Sequence, residues 1–184
     1  MAQFDSYCAA IAAGKFNSRH KDYHDNFYGF AETEDNALFG RLLMEINQAG
    51  LSWDTVLNKS ESIKAAYANF DIEQVANFTE TDIERLLQNP GIIRMRKKIE
   101  AAIYNAQQIQ ILQKEYGSFN NWIDTQHPQK EEDWVKCFKK KFKFTGKEIT
   151  KEFLMGIGYL QGAHVPECPL YAKIRQSQPK WLEP

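Results

Sequence analysis

Four groups of residues in this 184-residue chain have types and spacings that could do chemistry. The first is a single carboxylate. In LFGRLLMEINQAGLSW, from Leu38 to Trp53, the residues Leu38, Leu42, Ala49 and, one flank over, Ile46 share a helical face at 3.6 residues per turn. Glu45 sits in the middle of that face, so turning it into water would turn the apolar stripe out with it. A carboxylate so placed must meet hydrogen-bond donors, take up a proton, or line a cavity that admits something polar. The second group is His164-x-x-x-Cys168, a spacing that lets both side chains reach one metal, with Cys8 and His24 as partners for a closed tetrahedral site. Taken singly, a His and a Cys are more often core or surface residues than ligands. The third is aromatic: Tyr23, Tyr28 and Trp53 combine flat rings with polar tips, which suits core packing or a pocket that sandwiches a planar heterocycle, as a flipped base is held. The fourth is basic. Phe142-Lys-Phe-Thr-Gly146 forms a hairpin between apolar helical pieces, and the N–H groups opening the second piece, with Lys147 and Lys151, offer a phosphate site or simply a solvated lysine face. Pro90-Gly91-Ile92-Ile93, followed by Arg94, Arg96, Lys97 and Lys98, repeats that pattern, and cations at a helix start call for an anion to offset them. Two such basic starts favour contact with a nucleic-acid backbone.

The elements that must position these groups read as helices throughout. Gly50 suits the left-handed position just past the Leu38 helix, and Ser52 can cap a new helix beginning at Trp53. Residues 1–30 carry seven aromatics without a sustained period, which predicts a short helix from Tyr7 to Ala13 followed by irregular chain. Ser60 is expected to cap a segment bearing Ile63, Tyr67 and Phe70. Asp71 with Gln74, and Thr79 with Asp82, give capping-box patterns for two further short helices. Asn89-Pro90-Gly91 interrupts, then Ile92 to about Glu115 predicts the longest helix, closed by Gly117. Ser118–Ile123, Trp134–Lys141 and a segment within 142–162 complete the set. No alternating apolar run long enough for a sheet and no internal repeat occurs, so the expected fold class is all-α.

Composition bounds the reading. With 43% apolar and 13% aromatic residues the chain can build a core, as one domain spanning 1–184 or as two small helical lobes with a pocket between them. The net charge of −1 hides a polarity: seven lysines against the single Glu148 between Lys136 and Lys151, and acidic residues crowding 32–84. Three widely spaced cysteines argue against a disulfide framework and for a reducing interior. No leader-like start and no stretch of eighteen apolar residues appears, so a soluble, cytoplasmic protein is expected.

Several strings together resemble the type I 3-methyladenine DNA glycosylases of the helix-hairpin-helix superfamily. They are Tyr23-His24-Asp25-Asn26, Glu45 with Gln48-Ala49-Gly50-Leu51-Ser52-Trp53, Gly91-Ile92-Ile93-Arg94, Phe142-Lys143-Phe144-x-Gly146 and His164-x-x-x-Cys168, in unbroken order over about residues 20–170. The resemblance implies a monomeric hydrolase that flips an N3-alkylated adenine from double-stranded DNA and releases free 3-methyladenine. It implies that Glu45 contacts the base, that Tyr23 and Trp53 stack near it, and that Gly50 and Leu51 enter the DNA stack; Glu45 is the expected catalytic residue, and Tyr28 is expected to line the same base site. Gly146, Lys147 and Lys151 would contact DNA, and a structural Zn2+ would be held by His24, His164 and Cys168 with Cys8 as fourth ligand. The chain departs from the family at Tyr28, where tryptophan is common, at Cys8-Ala9-Ala10 in place of Cys-Gly-Trp, at a shortened 122–134 segment, and at Ala163 in place of an acidic residue. The alternative is a catalytically silent helix-hairpin-helix DNA-binding protein that keeps the fold.

Overall fold

A computed structural model describes residues 4–183, and these contain helices and no strand. In chain order the helices are α1 (Tyr7–Ala12), α2 (Ser18–Asn26), α3 (Asp35–Gln48), α4 (Trp53–Leu57), α5 (Ser60–Ala66), α6 (Ile72–Ala76), α7 (Glu80–Gln88), α8 (Arg96–Tyr116), α9 (Phe119–Gln126), α10 (Glu131–Lys141), α11 (Lys147–Gly156) and α12 (Tyr171–Gln176), with 3₁₀ turns at Ala68–Phe70 and Lys180–Leu182. The chain divides into two compact units, Met1–Glu32 with Lys151–Pro184, and Thr33–Thr150.

The larger unit is built round α3 and α8. Within it α3 packs on α4, α6, α8 and α9, and α8 also packs on α6 and α7. The single apolar stripe expected for α3 is too narrow a description. From Leu38 to Asn47 every residue but Arg41 is buried, Phe39, Leu43 and Met44 included, whereas Ala49 is half exposed. A helix wrapped on nearly all sides buries Glu45 whichever way it rotates. The start of α3 also fixes its neighbour: Asp35 accepts from the Phe119 and Asn120 N–H groups at 2.8 and 3.0 Å and from Gln113 Nε2 at 2.7 Å, so one carboxylate meets the N-terminus of α9, where negative charge is favoured.

The capping signals act largely as expected. Ser52 Oγ accepts from Thr55 N, Asp71 accepts from Gln74 N, and Thr79 with Asp82 forms the reciprocal box; each such cap stabilises its helix by about 1 kcal/mol. Gly50 and Gly117 carry φ of 79° and 86° just past α3 and α8. Four expectations need correction. Ser60 is the first residue of α5 and not its cap, because the chain turns at Lys59. The longest helix starts at Arg96 and not at Ile92, since Ile92 buries its side chain from a turn and Met95 is extended. The basic helix begins at Glu131, three residues before Trp134, with Glu131, Glu132 and Asp133 in its first turn. The irregular chain expected after Ala13 contains α2, whose cap is Asn17 accepting from Arg19 N and His20 N.

In the smaller unit Tyr28, Met155 and Ala163 form a buried cluster against which Tyr7, Tyr23 and Leu160 pack.

Gly40 marks the closest approach on α3. A Cβ there would lie 2.8 Å from Phe70 Cγ, and Phe70 is held on a turn at positive φ, so neither side yields easily. Gly40→Ala is expected to destabilise by about 1–2 kcal/mol, the clash outweighing the roughly 1 kcal/mol gained in helix propensity. Phe70→Leu in that background should recover part of the deficit. Thermal unfolding of the three proteins checks this, and an unchanged melting temperature for Gly40→Ala would contradict the packing.

Candidate functional site

The smaller unit gathers side chains from three places in the sequence: Cys8 on α1, His24 on α2, and His164 and Cys168 in the segment after α11. All four are buried, and one ligand atom from each lies within 4.8 Å of every other. Cys168 Sγ is 3.3 Å from His164 Nδ1 and 3.7 Å from His24 Nε2, and Cys8 Sγ is 3.6 Å from His164 Nδ1. Four S and N ligands at tetrahedral corners around one ion would be separated by about 3.3–3.8 Å, so the cluster has the size of a metal site. The remaining ring nitrogens are also engaged: His24 Nδ1 pairs with Asp25 Oδ1 at 2.7 Å, and His164 Nε2 donates to the Tyr28 carbonyl at 2.8 Å. Such outer contacts fix the rings and aim the inner nitrogens at a common point. Asp25 is held below the usual carboxylate range by Lys21 first and then His24. Burial pushes the Cys8 thiol up to about 11, against a backbone hydrogen bond from Val165 that pulls it down. Burial also lowers His164, which favours the neutral, ligating imidazole. Cys8 thus takes its place with the three others although Ala9 and Ala10 follow it.

One hydrogen bond away from this cluster lies the tyrosine pair. Tyr28 and Tyr23 face each other with ring centroids 5.6 Å apart and planes at 30°. The Tyr28 hydroxyl donates to Glu152 Oε2 at 2.9 Å. The ring is therefore fixed at its backbone by His164 and at its tip by Glu152.

In the larger unit Glu45 is 5% exposed on α3, and Gly50, Leu51, Ser52 and Trp53 follow on a tight turn into α4. Leu51 is an exposed apolar side chain. The hairpin 142–146 joins α10 to α11. Asn105, buried on α8, grips it through both amide atoms: Lys143 N donates to Oδ1 at 2.8 Å and Nδ2 donates to the Lys143 carbonyl at 3.1 Å. Thr145 Oγ1 donates to the Phe142 carbonyl and Thr150 Oγ1 to the Thr145 carbonyl. Nothing lies within 4 Å of where a Gly146 Cβ would be. Lys147 and Lys151 stand one turn apart on α11, and Lys147 Nζ is 3.5 Å from Glu131 Oε1, the lysine exposed and the glutamate half-buried. At the other basic helix start the expected anions belong to the protein itself. Arg96 pairs with Glu80, Glu84 and Glu100, while Lys98 is buried.

Glu152 and Asn105 escape a reading of the sequence as site residues, while Asp25 enters it only within the Tyr23–Asn26 string and Lys98 only as one of four cations awaiting an external anion. Asn105 could be found by the argument used for Glu45, since it interrupts the apolar positions Ala102, Ala106 and Ile109 of α8. Glu152 gives no signal short of the fold.

A family model described as methyladenine glycosylase matches residues 13–141, which include Tyr23, His24, Tyr28, Glu45 and Trp53 and leave Cys8, Gly146, His164 and Cys168 outside. The chain is 38% identical over 168 residues to DNA-3-methyladenine glycosylase 1 of Escherichia coli, covering 81% of this chain and 89% of that protein. It is 34% identical over 167 residues to DNA-3-methyladenine glycosylase of Haemophilus influenzae, with 80% and 90% covered. Among solved structures, 3-methyladenine DNA glycosylase I of Staphylococcus aureus superposes with a TM-score of 0.80 at 31% identity, covering 89% of this chain and 97% of that one. A variant of 3-methyladenine DNA glycosylase I in complex with 3-methyladenine gives 0.79 at 31%, with 86% and 95% covered.

Metal uptake by the cluster should depend on pH with a definite sign. Below about 11 the metal-free Cys8 carries a proton that a metal must displace. Affinity is expected to rise with pH between about 6.5 and 7.5, by up to about tenfold for each proton displaced. Competition with a chromophoric chelator at the two pH values measures it, and a flat profile would contradict thiolate ligation.

Proposed function

Because the chain belongs to the methyladenine glycosylase family, we propose that it is a monofunctional DNA glycosylase that removes 3-methyladenine from alkylated double-stranded DNA by hydrolysing the N-glycosidic bond. The observation that carries this reading is the match over about nine-tenths of two proteins named for that activity. The chemistry asks little of the enzyme once the base is out of the helix. Methylation at N3 leaves the nucleotide's base positively charged, so when the bond from the sugar C1′ breaks, its electron pair neutralises the ring and the base departs as free 3-methyladenine. Water then bonds to C1′ through its oxygen and gives up one proton to the solvent.

Glu45 is the catalytic residue in this reading. Its carboxylate, ionised, accepts from the exocyclic amino group and complements the ring's positive charge, attractions much weaker toward neutral adenine. Its burial, 5% exposed, supports the role, because an acid out of water costs stability and a stable core alone would favour an amide or apolar residue. Tyr23, Tyr28 and Trp53 are assigned to stacking on the flipped base. Gly50 and Leu51 are assigned to the DNA stack that the base leaves. The helix-hairpin-helix is α10, 142–146 and α11. Its hairpin is braced by Asn105, and Gly146 leaves room for a phosphate to approach the backbone beside Lys147 and Lys151. The Lys147–Glu131 pair, 3.5 Å apart with the lysine in solvent, is weak enough not to compete.

Zinc is the ion assigned to Cys8, His24, His164 and Cys168, since two thiolates and two imidazoles at tetrahedral spacing suit it. Four protein ligands leave no open position for water, so its contribution is to join α1 and α2 to the segment after α11, not to activate a nucleophile. One copy supplies every residue assigned, as a monomer acting where cellular DNA lies, in the cytoplasm. Among the described residues no helix is long and apolar enough to cross a membrane.

Purified protein is expected to release free 3-methyladenine from methylated duplex DNA, followed by chromatography of the released base. Binding without release would favour the silent DNA-binding alternative. Reversing Lys147 and Lys151 to Glu together should weaken DNA binding and reduce the slope of log affinity against log salt by about two, since a phosphate that the protein does not neutralise keeps roughly one condensed counterion. An unchanged slope would remove these lysines from the DNA-facing surface.

A further inference from the structure

Lys98 ends in a group that is charged in water, yet its side chain is only 2% exposed. Its ammonium donates to the carbonyls of Asn47 and Ala49, each at 2.8 Å. These belong to the end of α3, where carbonyls have no partner further along the helix and the dipole favours a cation. Burial pulls the Lys98 pKa down, the expected sign for an ammonium removed from water. Without such acceptors this side chain would have no reason to leave solvent.

Just beyond Ala49 the chain reverses. Gly50 turns it at φ 79°, Leu51 N donates back to the Gln48 carbonyl at 2.6 Å, and Ser52 opens α4 by capping it. The turn is thus tied on one side by Lys98 and on the other by Ser52. At its tip Leu51 is 42% exposed and belongs to no buried cluster. An apolar side chain on a turn held this firmly gains most by entering a space from which water is excluded, and a gap between stacked bases is such a space.

We propose that Lys98 is a positioning residue for duplex opening: by locking the last carbonyls of α3 it holds the Gly50 turn so that Leu51 is presented as a rigid wedge to the base step beside the flipped nucleotide. This rests on the DNA glycosylase reading and goes beyond it by giving the opening step a residue that touches neither DNA nor base. The wedge must resist the stack pressing it back. Two charge-assisted hydrogen bonds at its root supply that stiffness, which an unbraced helix end lacks.

Lys98→Met keeps most of the apolar stem and removes the buried ammonium, so the removal of two hydrogen bonds is partly offset and the fold is expected to survive. Three readouts test the idea: kcat/KM on methylated duplex, affinity for free 3-methyladenine, and a double-mutant cycle with Leu51→Ala. The expected result is a loss of about tenfold or more on duplex, an unchanged affinity for the free base, and a fall in the effect of Lys98→Met to below about twofold once Leu51 is Ala, because residues that act through one another are not additive. Lys98→Gln, which keeps an N–H donor on a shorter stem, should give an intermediate loss that the Leu51→Ala background again cancels. It also serves the cycle should Lys98→Met not be recovered folded. Additive effects, a parallel loss of free-base affinity, or full activity of both Lys98 variants would each overturn the proposal while leaving the glycosylase reading intact. A wild-type protein that releases no 3-methyladenine would overturn the glycosylase reading first, and this inference with it.

Discussion

A carboxylate kept out of water on a helix that is buried on nearly every side is the constraint on which the larger unit depends. Glu45 shares α3 with Leu38, Leu42, Leu43 and Ile46, all essentially inaccessible. An ionised acid there costs several kcal/mol unless donors or a positive partner meet it. The surrounding elements are ones that hold such a helix still. Asp35 ties its first turn to α9, Gly40 lets Phe70 close on it, and Lys98 gathers its last carbonyls. A helix fixed at both ends holds the Glu45 side chain in one place.

In the smaller unit the corresponding constraint is the cluster of two cysteines and two histidines, and its reach exceeds its four members. His164 is bonded to the Tyr28 carbonyl, and Tyr28 faces Tyr23 and donates to Glu152. Orientation thus passes from α1, α2 and the C-terminal segment to a pair of aromatic rings. The Tyr28 hydroxyl, which the tryptophan common in the family cannot supply, has found a partner of its own within the protein.

Much of this is legible in the sequence, for reasons that can be named. Helix ends governed by local chemistry can be read: Gly50 because φ near 80° excludes most side chains, Ser52 and Thr79 because a hydroxyl next to orphan N–H groups has one obvious use. Glu45 and the four cysteine and histidine residues stand out because polar or ligating groups in those patterns need a reason. The features that cannot be read depend on distant partners. α2 is polar nearly throughout, so periodicity is silent, and its burial of His20 and His24 comes from rings and the Cys168 thiol elsewhere. Lys98 reads as one of four exposed cations, and only the end of α3 explains why it is inside. Ser60 misleads because Lys59 has already turned the chain.

In the proposed glycosylase Glu45 is buried for use and not for structure, and substituting it with glutamine separates the two. Glu45→Gln keeps the shape while removing the charge, so melting temperature and excision per folded molecule can be measured on one preparation. The expected result is a melting temperature kept or raised, with weaker binding of free 3-methyladenine and slower excision from methylated DNA. A lowered melting temperature with excision unchanged would show a structural glutamate and rule out the catalytic role.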